Sequence, residues 1–143
     1  MGSWGTGIFD DDIAQDWLGD FEADPVGAVT AAFDAVQSEP AGTYLEMDVV
    51  VAALAAGEAL ATALGRPAAG LSDDVAQTLN AQAAAVAAAG LDPVQAAQVV
   101  ERAGGPDSEK GERETWFQEA DHAAFLAAVA ELRARLAMEP ATG

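Results

Sequence analysis

Glu58 is the residue best placed for chemistry, an acid within the apolar run Val51-Ala-Ala-Leu-Ala-Ala-Gly-Glu-Ala-Leu-Ala-Thr-Ala-Leu64. A carboxylate in such a helix is expected to be buried, and burial favours its neutral form unless a cation or donors compensate. That environment suits a general base or a ligand. It also suits a structural pair with Arg66, Arg102 or a tryptophan indole N–H, the commoner arrangement for a buried acid. Glu46 and Asp48 stand two turns or more before it, near the start of the same expected helix, where acids favour the dipole. A catalytic or small-molecule site would have to gather these two, Asp10 or His122 around Glu58.

Other reaction types lack their residues. There are no cysteines, which removes thiolate nucleophiles, thiolate zinc sites and disulfides. His122 is the only histidine, so a multi-histidine metal site or proton relay is unavailable. Asp121 beside it points about 100° away on a helix, and His122 reads as a helix-surface residue. Gly2, Gly5 and Gly7 match neither dinucleotide nor P-loop spacing, and no lysine follows to meet phosphate. Asp10, Asp11, Asp12 and Asp16 fail the alternation of a calcium loop and read as helix caps and solvated acids. No metal and no cofactor is expected.

The elements that must position these residues are helices. Asp24-Pro25 and Asp92-Pro93 are start signals: the aspartate caps and proline at the first helical position loses no hydrogen bond. The expected helices span about 12–22, 25 to just before Pro40, 44–64, 72–90, 93–103 and 114–138, the last divisible near Asp121. Apolar residues surround the third on nearly every side, as in the centre of a bundle. Ser72 caps the fourth and Gly65-Arg66-Pro67 ends the third. Nothing alternates as a strand does. The reading is an all-α, single-domain bundle of six or seven helices over residues 1–143. It carries an ordered glycine-rich arm at 1–10, a mobile charged loop at 106–113 and a frayed tail at 140–143. Because 36 residues are alanine, the core is expected to close around a few large anchors: Trp4, Phe9, Trp17, Phe21, Phe33, Tyr44, Trp116, Phe117 and Phe125.

Charge bounds the partners. The formal net charge is −18. Residues 1–65 hold twelve acids and no Lys or Arg, and the rest hold twelve acids and six bases. Such a front half repels phosphates, so nucleic acid is the least suitable partner. It suits a basic protein, or simply solubility. No run reaches the length of a membrane span and no signal-peptide pattern opens the chain, so a cytoplasmic protein with no membrane role is expected.

The opening residues resemble a family. Trp4-Gly5-Thr6-Gly7, Phe9, Asp10, Asp12, Ala14, Asp16 and Trp17 resemble the opening signature of the bacterial domain-of-unknown-function family 4259. The likeness continues through the helix with Glu58 and Trp116 to Leu132-Arg133-Ala134-Arg135-Leu136. The chain departs at Ile8, where proline is common, and at Asp11, where asparagine is common. The resemblance implies a fold and an intracellular bacterial context, with no activity, cofactor or catalytic residue to carry over. In this signature Trp4, Gly5, Gly7, Phe9, Asp10, Asp12, Asp16, Trp17 and Trp116 read as architecture: an arm laid across the bundle and pinned by Trp17. The function itself stays open among three readings. The leading one is a non-enzymatic, immunity-like interaction module with an acidic docking face. The alternatives are an enzyme or small-molecule binder built on Glu58 and a self-associating structural protein.

Overall fold

Short polar residues set the helix starts. The carboxylate of Asp24 accepts from the Gly27 N–H at 3.1 Å, that of Asp92 from the Val94 N–H at 2.9 Å, and the hydroxyl of Ser72 from the Val75 N–H at 3.3 Å. Each satisfies an amide that a helix start leaves without a partner. The computed structural model describes Phe9 and residues 12–137. It places seven α-helices in order: α1 Asp12–Ala23, α2 Pro25–Gln37, α3 Met47–Ala63, α4 Asp73–Ala81, α5 Ala83–Ala88, α6 Pro93–Ala103 and α7 Glu119–Ala137. A 3-10 turn at Arg113–Thr115 precedes α7. The described residues form no strand, so the fold is an all-α bundle.

Helix α3 is the axis. Val50, Val51 and every residue from Ala53 to Thr62 are buried, and α1, α2, α4, α5, α6 and α7 all pack on it. Small residues make that approach possible: a Cβ added at Gly57 would lie 2.8 Å from Val100 Cγ2 and 3.2 Å from Leu132 Cδ2, so glycine seats α6 and α7 against the axis. The chain leaves α3 through Gly65, whose φ of +82° is open to glycine at little steric cost. At the other end Trp17, 7% exposed, stacks on Phe21 with centroids 5.1 Å apart. Phe9 is buried and its carbonyl accepts from Gln15 Nε2 at 2.6 Å. Of the expected arm, Trp4, Gly5, Gly7 and Asp10 lie outside the described residues, as does the tail at 140–143.

Several boundaries differ from the sequence reading, each for a non-local reason. Helix α3 starts at Met47 rather than Tyr44 because Leu45 pairs instead with the 106–113 segment. Its N–H donates to the Asp107 carbonyl and its carbonyl accepts from the Glu109 N–H, both at 2.9 Å. This bridge buries Leu45 and leaves Tyr44 47% exposed, so Tyr44 is not a core anchor. Phe117 is not one either; at 94% exposed it lies in the link before α7. The expected 72–90 helix breaks at Gln82, where ψ of 3° departs from the helical value. The segment 106–113 pairs with Leu45 through this bridge and holds Ser108, Lys110 and Gly111 buried.

Candidate functional site

Glu58 is 5% exposed, as its surroundings predicted, and its partner is Arg135. Arg135 donates from one terminal nitrogen to Glu58 Oε1 at 2.9 Å and from the other to Oε2 at 2.8 Å, a two-pronged fit of guanidinium to carboxylate. Its Nε–H donates to Glu131 Oε2 at 2.6 Å, one turn back on α7. The loop after α3 closes the cluster: Arg66 donates to the Arg135 carbonyl at 2.9 Å, and Arg135 donates to the Arg66 carbonyl at 3.0 Å. Burial by itself lowers the guanidinium pKa; hydrogen bonds and charge from Glu58 and Glu131 more than reverse this and leave it raised. Arg135 therefore stays charged at any pH where the protein is folded.

Among the described residues, none of the partners anticipated for Glu58 contacts its carboxylate. Arg66 meets Arg135 rather than the acid. Arg102 donates to the carbonyls of Val36, Glu39 and Pro40 at 2.8, 2.7 and 2.5 Å, closing the C-terminus of α2. The Trp116 indole N–H donates to the Lys110 carbonyl at 2.7 Å. A signal for the true partner does exist in the sequence. Arg135 lies between Leu132 and Leu136 on the buried face of α7, an inward cation that requires an inward acid.

The other candidates do not converge on Glu58. Asp48 is exposed in the first turn of α3, ten residues and about 15 Å before it along the axis. Glu46 is exposed and makes no side-chain cap; Glu109 caps α3 instead, its Oε1 accepting from the Met47 N–H at 2.9 Å. His122 is half-buried rather than on the surface, since its Nε2 bonds the Gly111 carbonyl at 2.8 Å. It lines a separate cleft of about 620 Å³ with Gly104, Gly111 and Arg113. Asp12 and Asp16 are exposed on α1, and among the described residues no three His, Cys, Asp or Glu side chains group as metal ligands.

The cleft that draws candidate residues together lies elsewhere, between α1, α2 and α3, with a volume of about 540 Å³. Its floor is a stripe of alanines on α2 at positions 28, 31, 32 and 35, the i, i+3, i+4, i+7 face of one helix. Trp17 from α1 and Val49 and Ala52 from α3 form the walls. Asp20, Asp24 and Asp48 line it as well, each exposed. The helices fix where these carboxylates stand. Arg102 and the Leu45 bridge bring the end of α2 and the start of α3 to the same side of the molecule, so α2 and α3 run antiparallel. Asp24 is then at one end of the alanine stripe and Asp48 at the other. Sequence reasoning named Asp48 and Trp17 but not this cleft. Its signal was the alanine spacing on α2, which resembles ordinary helix filler.

The model of the domain of unknown function DUF4259 matches residues 2–131. The chain belongs to that family. The DUF4259 match contains the whole α1–α3 cleft together with Glu58 and Glu131, and it stops before Arg135. No curated protein and no solved structure matches the chain. No helix among the described residues is long and apolar enough to cross a membrane.

Proposed function

We propose that the protein is a non-enzymatic interaction module of the cytoplasm, and that its docking face is the α1–α3 cleft, which receives a basic protein. The observation that carries this reading is the coincidence of shape and charge. A floor of small side chains is bracketed by Asp20, Asp24 and Asp48, within the 65 residues that hold no Lys or Arg. Carboxylates arranged around an apolar floor steer and orient a cationic partner, while the floor supplies the desolvated contact. Glu58 supports this reading over one of catalysis. Both of its oxygens are engaged by Arg135, and it lines neither this cleft nor the one beside His122. Self-association is disfavoured by the net charge of −18, which sets two copies against each other.

The test compares the wild-type chain with Ala31→Arg, which fills the cleft, and Asp48→Lys, which removes most of its negative charge, both at exposed positions outside the core. Native lysate is passed over each and eluted with rising salt. The expected result is a basic protein retained by the wild type, released by salt and absent from both variants. Identical profiles from all three chains would end the proposal.

A further inference from the structure

Resting on that reading, we infer that the segment received by the cleft is an α-helix laid along α2, with small residues on its inner face and basic residues two to three turns apart. The walls dictate this class of occupant. All three sides of the cleft are helices, whose backbone N–H and C=O groups are consumed within their own ladders. An extended segment would find no strand edge to pair with and would enter with its backbone polar groups unmet. A helix brings its backbone already satisfied.

Register follows from the same residues. The alanines at 28, 31, 32 and 35 form one ridge on α2, and a ridge of methyl groups allows a neighbouring axis to approach at the short end of the roughly 8 to 10 Å range, provided the facing side chains are small too. The carboxylates set the ends. Eleven residues separate Asp24 from Ala35, roughly 16 Å at 1.5 Å per residue, and Asp48 stands in the turn of α3 beside the end of α2. Asp20, one turn before Asp24 on α1, shortens the span that a basic side chain has to bridge. A partner helix meets both ends with Lys or Arg at i and at i+7 or i+11, with Ala, Gly or Ser on the same face between them. A second copy of this chain is a poor occupant. The cleft is acidic, and Arg133, a base exposed on α7, is paired with Glu101 at 3.3 Å.

Synthetic peptides separate this inference from the reading it rests on. One helical peptide carries Lys at i, i+7 and i+11 over an alanine face. A second has the same composition with the lysines moved to the opposite face from the alanines. A third has the first sequence with a central proline. Affinity is measured for the wild-type chain and Ala31→Arg. The expected result is roughly tenfold tighter binding of the first peptide than of either control, abolished by Ala31→Arg. Equal binding of all three, still lost in Ala31→Arg, would overturn the helix while leaving a basic partner at this cleft. Binding of none, or binding that Ala31→Arg does not weaken, would overturn both.

Discussion

Replacing Arg135 by Met removes the cation that engages both oxygens of Glu58 and leaves a carboxylate with 6% of its side chain exposed. The cost follows from the asymmetry of buried pairs: an intact pair roughly offsets its own desolvation, whereas the half left behind does not. Loss of one partner of a buried pair costs about 3 to 5 kcal/mol, a large part of the roughly 5 to 15 kcal/mol that holds a domain together. Replacing both members should behave differently, because Glu58→Leu with Arg135→Met fills the same space with apolar atoms and leaves no charge. Equilibrium urea unfolding of the wild type, the two single variants and the double variant completes a cycle. The expected order places Arg135→Met lowest and brings the double variant back to within about 1 to 2 kcal/mol of the wild type. A cost below about 1 kcal/mol for Arg135→Met would mean that water reaches Glu58, and the account of the cluster as a dry strut would fail.

The Tyr44 phenol is pushed from 10.0 up to about 12 by desolvation, by its hydrogen bond with Glu112 and by the charges of Glu112, Glu109 and Glu46. Its raised value means that the fold favours the protonated phenol, so stability held below pH 10 is lost as pH rises through about 12. Tyr44 is the sole tyrosine, and phenolate absorbance should show a midpoint near 12 that Glu112→Gln lowers; a midpoint at 10 in the wild type would refute this. Trp17→Ala should cost about 3 to 5 kcal/mol in a denaturant melt, and a near-zero cost would show that α1 does not depend on its stack with Phe21. Gly111→Ala would put a Cβ 1.8 Å from the Gly105 carbonyl oxygen and 2.5 Å from Ser108 Oγ. It should cost about 1 to 3 kcal/mol and speed exchange of the Leu45 amide. Unchanged exchange would mean that the Leu45 bridge does not need the tight turn.

What the chain revealed in advance was what depends on neighbours in sequence. Asp24-Pro25, Asp92-Pro93, Ser72 and Gly65 announced helix ends because each acts within one turn. The burial of α3 was legible because its residues are apolar all round. What stayed hidden depends on partners far along the chain. The pair Glu58 and Arg135 is 77 residues apart, and Glu109 caps α3 from 62 residues away. No local pattern specifies such a match. Tyr44 and Phe117 are exposed for a related reason: size argues for burial, but both fall in links whose paths are set by the Leu45 bridge and by the turn before α7. The cleft leaves no local mark, because alanines at helical spacing look the same whether they face a neighbour or open space.

The clamp of Arg102 on α2 bears on the order in which the molecule can be completed. Helix α2 has no basic residue in its last turn, and the 65 residues at the front contain no Lys or Arg. The cation that closes α2 belongs to α6, and the one that neutralises Glu58 belongs to α7. A ribosome therefore releases the cleft-bearing half first, as an acidic segment in which the end of α2 and the buried carboxylate of Glu58 lack the cations that close them. Until the end of α7 emerges that segment lacks its counter-charges. A chain interrupted shortly before Arg135 thus holds the complete set of cleft residues without the strut that steadies α3 beneath them.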